Sequence, residues 1–262
     1  MKYFLTILIL TAFISDSSAQ GNAVLPEKKM LRIPGGNYKP FYVTKDNKPI
    51  KVAPFLMDET AVTNLEFLEF VKANPQWRRS RINSFLADSN YLRHWESDLS
   101  IGQANKNIYN SPVVNVSWFA ARAYCKWKNK RLPDVAEWEY AGSAAPANLK
   151  GLSLTEYILG WYNKPNLPVL PNIRSTYRNI FGLYDMHGLV WEWTFDFNSF
   201  ISSGDSGGNT EDALKAVCAS GSVNVRDKTD YAAFLRFSYR GSLKGRFCIA
   251  NLGFRCARSI AK

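Results

Sequence analysis

Residues 182–193 read GLYDMHGLVWEW: a glycine-punctuated turn leads into Glu192, a carboxylate set between the indoles of Trp191 and Trp193. A buried carboxylate must be hydrogen-bonded, so the stretch demands donors from elsewhere in the chain, with backbone amides the simplest source. The two tryptophans read as packing groups. Glu192 reads as a residue that holds the fold together, not one that exchanges protons.

The chain around this stretch has the composition to enclose it. It has 262 residues, 46% of them hydrophobic, which suits one sizeable domain. Aromatics reach 14%, and several of the eight tryptophans fall in stretches rich in Gly, Asn and Pro. Large rings within irregular backbone point to a core of mixed helix, strand and loop, not a helical bundle.

At the N-terminus, Lys2, an apolar run from Tyr3 to Ile14 and the small residues Ser17, Ser18 and Ala19 predict a secretory signal over residues 1–19. The run is short for a bilayer span, and no cysteine lies at the cut to carry a lipid. The expected product is a soluble exported protein, periplasmic or secreted, with no membrane span after cleavage and with nucleic acid disfavoured as a partner. Cleavage removes Lys2 and Asp16, so the net charge of +11 persists and suits an acidic partner or an anionic surface. The densest basic run, WRRSR, brings Arg78, Arg79 and Arg81 together. It is either a solvated helix end or loop, or a docking patch for an acidic protein. Four cysteines, Cys125, Cys218, Cys248 and Cys256, allow three pairings in an oxidising compartment.

Residues 20–30 read as a flexible lead to a domain over 31–260. LRIPGGNYKPFYV alternates around Pro34-Gly35-Gly36, as two strands about a tight turn would. Thr63, with Glu66 three residues on, predicts a capped helix bearing Leu65, Phe67, Leu68 and Val71 and ended by Pro75. Residues 76–110 show no period and read as an insertion. Ser117 caps a second expected helix; Asp134 and Glu137 form the capping box of a third, stopped by Gly142. From residue 143 onward, short strands and loops are expected. His94 and His187 stand apart, in no ligand spacing, and read as packing residues.

Six blocks now stand in order: RIPGGNY (32–38), DETAVTNLEFLEFV (58–71), PVVNVSWFAARAYCKWKNKRLPDVAEWEYA (112–141), NIFGLYDMHGLVWEWTFD (179–196), SGSV (220–223) and NLGFRCA (251–257). Together they resemble the formylglycine-generating enzyme family, the sulfatase-modifying factors. The resemblance implies an α+β fold: a single irregular C-type-lectin-like domain. It implies a disulfide between Cys125 and Cys256, whose long loop would contribute about 4–5 kcal/mol in the chain-entropy model. It also implies a structural calcium held by the Glu192 carboxylate and the carbonyls of Gly188 and Val190, although Leu189 stands where the family has asparagine.

Catalytic members of the family hold copper(I) between two thiols, a soft-ligand site, shortly after a GGS turn. Here the turn is SGSV, and Val225 and Asp230 occupy the thiol positions. Only Ser222 remains of that motif, and copper is not expected. Cys218 and Cys248 could form a second disulfide, a relocated copper-holding pair, or two separate buried thiols. The tail over 227–257 looks similar to accessory proteins encoded beside copper nitrite reductases. Three functions follow from the resemblance. The first is a non-catalytic accessory or maturation factor for an exported partner, such as a copper enzyme. The second is a copper- and oxygen-dependent oxidase using Cys218 and Cys248. The third is a lectin-like module for glycans or peptides.

Overall fold

The computed structural model describes residues 26–41, 48–102, 108–146, 149, 151–198 and 230–260. The expected signal over 1–19, and Cys218, Ser222 and Val225, fall outside the described residues.

Strand β1 (Met30–Ile33), β4 (Phe55–Asp58) and β7 (Ala257–Ser259) form an antiparallel sheet with β4 in the middle. Its register pairs Ile33 with Phe55 and Met57 with Ala257. A second sheet pairs β2 (Gly36–Tyr38) with β3 (Ile50–Val52). The expected hairpin about Pro34-Gly35 is therefore a crossing from one sheet into another. Gly35 is required by close approach: a Cβ there would lie 2.4 Å from the Val52 carbonyl oxygen.

Helix α1 (Asn64–Ala73) begins at Thr63 with a complete capping box, the Thr63 amide donating to Glu66 Oε2 at 2.8 Å. Pro75 opens a short 3₁₀ turn instead of continuing the helix. Helix α2 (Trp118–Trp127) is capped by Ser117. Helix α3 (Val135–Gly142) has Asp134 and Glu137 as its box, with its last turn running through Gly142 to Ser143. Among the described residues, the region after residue 143 also holds two helices, α4 (Leu154–Tyr162), capped by Ser153, and α5 (Tyr231–Ser242), capped by Asp230. There the expectation of strands and loops is corrected. Strand β5 (Trp191–Glu192) runs parallel to β6 (Leu252–Gly253), setting Glu192 beside Gly253. Among the described residues no helix is long and apolar enough to cross a membrane.

The main core gathers Phe67 and Phe70 from α1, Tyr124 from α2, and Phe254. The apparent insertion over 76–110 feeds this core with Tyr91, Leu92 and Trp95. Asn64 secures it: its Nδ2 donates to the carbonyls of Ile108, Ser111 and Pro112, and its Oδ1 accepts from the Trp95 indole at 2.9 Å. Cys125 and Cys256 form a disulfide with Cα atoms 5.7 Å apart, joining α2 to the approach of β7. The result is an α+β single domain in which α3, packed against β2 and β3, carries several of the groups described next.

Candidate functional site

Asp185 organises the turn that leads to Glu192. Its carboxylate accepts from the backbone amides of Arg174 and Thr176 and from the Thr176 hydroxyl. Gly188 sits at φ +102°, where a Cβ would meet Thr176 at 3.0 Å and the Tyr157 hydroxyl at 3.2 Å, so only glycine fits. The chain then enters β5 with Trp191 turned outward and Glu192 buried.

The donors that Glu192 needs are side chains, not backbone amides. Arg255 straddles the carboxylate: Nε donates to Oε2 at 2.8 Å and Nη2 donates to Oε1 at 2.8 Å. The Trp138 indole donates to Oε2 at 2.7 Å. Both charged side chains have 0% exposure, and Arg255 also donates to the Tyr184 and Asp58 carbonyls. Charge and hydrogen bonds are thus satisfied. The Glu192 oxygens, which the resemblance assigns to a calcium together with the carbonyls of Gly188 and Val190, are here engaged by Arg255 and Trp138. Among the described residues no group of three or more His, Cys, Asp or Glu converges to hold a metal ion.

A second ionic group lies on the other face of Trp138. Glu139 of α3 accepts from Arg236 Nε at 3.0 Å and Nη2 at 2.9 Å, and from Arg240 Nη1 at 2.5 Å. All three residues are buried, and Arg240 lies 5.0 Å from the centre of the Trp138 ring. Burial pushes the Glu139 carboxyl up, but the two guanidiniums outweigh it and hold it at about 2. His187 meets Trp138 edge-on at 5.4 Å and bonds through Nε2 to the Gly142 carbonyl at 3.1 Å. Burial, reinforced by Arg236, lowers its pKa to about 3, so it is a neutral packing residue. His94 is likewise held neutral by burial and Arg79, at about 4, and bonds to Asn64.

In front of this group opens a groove of about 870 Å³, between α4 and the loop over 164–176. Tyr157, Trp161 and Tyr162 of α4 form one wall, Leu170 and Thr176 the other, and Trp191 the floor. Trp191 stacks on Tyr162 at 4.9 Å with 13° between planes, and contacts Tyr239 of α5 at 4.3 Å. Leu152 and Leu167 stand on its rim, 51% and 57% exposed. Sequence reasoning missed this groove. Its signals were the SLTE capping box before the aromatic pair Trp161-Tyr162, and the proline-punctuated NLPVLP loop.

The remaining expected site residues lie elsewhere. Asp230 stands at the second thiol position, and its carboxylate accepts from the Ala233 amide at 3.0 Å, capping α5. Cys248 is buried, with no disulfide partner among the described residues; its amide donates to Asp88 and its thiol to the Arg246 carbonyl. Burial and the Asp88 carboxylate push that thiol up. Arg78, Arg79 and Arg81 are only partly a free cationic patch: Arg79 donates to the Trp95 carbonyl at 2.8 Å. Asp98, bound to Ser80, has its carboxyl lowered by that bond and by Arg78 and Arg81.

The chain belongs to a known class: the Sulfatase-modifying factor enzyme 1-like domain family matches residues 16–260. The chain is 29% identical to "Inactive C-alpha-formylglycine-generating enzyme 2" of Bos taurus, over 89% of each chain. It is also 29% identical to "Formylglycine-generating enzyme" of Streptomyces coelicolor, over 87% of this chain and 88% of that one. The structure of PvdO from Pseudomonas aeruginosa shares the fold, with a TM-score of 0.50 and 21% identity, covering 89% of this chain and 95% of that one.

Proposed function

We propose that this protein is a non-catalytic member of the family, an accessory or maturation factor that holds a segment of an exported partner in the groove. The observation that carries the reading is Asp230. At the position of the family's second thiol stands a hard carboxylate already engaged as a helix cap, and Val225 replaces the first thiol. Overall identity does not decide the matter, because relatives named active and inactive stand at the same 29%. The replaced sulfur positions support the non-catalytic side.

Cys248 supports the same side. A working redox or copper-binding thiol is a reachable thiolate. Cys248 is buried, and the neighbouring Asp88 carboxylate disfavours its ionisation further. The tail resemblance gives the partner we propose: a copper enzyme of the nitrite reductase kind. Export and the oxidising compartment belong to this same reading.

The experiment is direct. Purified mature protein is incubated with a cysteine-bearing sulfatase peptide, copper(I) and oxygen, and the peptide is followed by mass spectrometry. The expected result is no conversion of cysteine to formylglycine; turnover would overturn the non-catalytic reading. In parallel, a copper nitrite reductase is produced with and without this protein. Reduced copper content in its absence is expected, and unchanged loading would remove that partner.

A further inference from the structure

The loop after α1 carries an aromatic ring that the core does not claim. Phe85 is 82% exposed, the most exposed large apolar side chain among the described residues. Single exposed apolar residues are ordinary, but here the backbone holds the ring out. Ile82 packs against the main core and Ala87 is buried, which tethers the segment on both sides. Between them the Asn83 carbonyl accepts from the amides of Leu86 and Ala87 at 2.8 and 3.2 Å. The Asn83 side chain accepts from the Phe85 amide at 2.8 Å. Phe85 therefore stands at the apex of a hydrogen-bonded turn.

Cations accompany the turn. Arg79 and Arg81 precede it and are exposed, as are Lys244 and Arg246 on the neighbouring segment. That segment is pinned alongside: the Asp88 amide donates to the Arg246 carbonyl at 2.9 Å, and the Cys248 amide donates to the Asp88 carboxylate at 3.1 Å. Among the described residues none of these four cations forms a salt bridge. The carboxylates close by are met by local donors. Asp88 takes the amides of Asn90 and Cys248, and Asp98, in the field of Arg78 and Arg81, takes the amide and hydroxyl of Ser80. The patch lies apart from the groove, whose lining includes none of these residues.

We propose that Phe85, with Arg81, Lys244 and Arg246, is a peripheral contact for a bilayer surface rich in anionic headgroups. The ring enters the interface, and the cations meet the lipid phosphates. Charge complementarity sets the sign of that surface, in line with the net charge of +11. The protruding ring selects lipid over protein: an acidic protein would need a pocket shaped for it, whereas a bilayer interface takes an aromatic ring without one. A second copy of the chain would bring like charges together. One ring and a few cations give weak, reversible attachment, and such attachment needs no spanning helix.

The test uses the mature protein beginning at Gln20, so that the apolar run before it cannot bind lipid itself, and co-sedimentation with two kinds of vesicle. Binding to mixed phosphatidylglycerol and phosphatidylcholine vesicles is expected at low salt, with a loss of at least about tenfold in about 0.5 M sodium chloride. Pure phosphatidylcholine vesicles should leave the protein in solution. Arg81→Gln and Arg246→Gln should each weaken binding about fivefold. Phe85→Ser should weaken it at least about threefold, while Phe85→Leu, which keeps an apolar side chain, should restore it. All three positions are exposed, so these variants should unfold at the temperature of the parent. Equal binding by Phe85→Ser and the parent, or equal binding to both kinds of vesicle, overturns the proposal. Retention of poly-glutamate without any vesicle binding also overturns it, and gives the arginines to an acidic protein instead.

Discussion

Two buried carboxylates, 53 positions apart in sequence at Glu139 and Glu192, stand on either side of one tryptophan and do opposite things. Glu192 is closed: one arginine, one indole, no charge left over and no exposure. Glu139 is shared: two arginines converge on it, so among the described residues the group has one more cation than carboxylate. Removing the one cation of a one-to-one pair leaves a buried charge alone, whereas removing one of two leaves the carboxylate paired.

The sharpest way to break it is the same substitution at two arginines. Arg255→Met leaves Glu192 buried without a cation, and should cost about 3–5 kcal/mol in urea unfolding. Arg240→Met leaves Glu139 paired with Arg236 and removes the surplus charge, so its cost should stay below about 1.5 kcal/mol. Equal losses would erase the distinction between the two groups.

Acid should sharpen the comparison next. His187, with a pKa lowered to about 3 by burial and Arg236, takes up its proton in the unfolded chain long before it does so in the folded one. Stability is therefore full above about pH 6.5 and falls as pH drops toward 3, by at most about 1.4 kcal/mol per unit for one histidine. His94 adds a similar slope down to about 4. Glu139, held at about 2, has the depressed carboxylate's behaviour: its contribution is present above about pH 4.5 and is lost as pH falls toward 2. Chemical denaturation across pH 3–8 should show this slope, and His187→Gln should shallow it between pH 6.5 and 4. The smallest effect belongs to Asp230→Ala, which removes the α5 cap and should cost about 1 kcal/mol by thermal unfolding.

What was legible in the sequence is local chemistry. Thr63 with Glu66 and Asp134 with Glu137 announce their helices within four residues, and the structure shows both boxes complete. What was not legible is distance. Arg255 reaches Glu192 across 63 residues, so the stretch around Glu192 declares a need for donors without naming them. Arg236 and Arg240, four apart on α5, look from sequence like a solvated charged face. They become interior only because Glu139 waits 97 and 101 residues upstream. The groove fails to show for a similar reason, since its lining comes from β5 and α4, which meet where Trp191 packs on Trp161 and Tyr162. The family resemblance supplied the class that these patterns could not.

Trp138 touches both ionic groups at once, donating its N–H to Glu192 and presenting its face to Arg240 and its edge side to His187. Its indole N–H resonance is accordingly a gauge placed between two ion groups. The position of that one signal would respond to a change on either flank, without any attached dye.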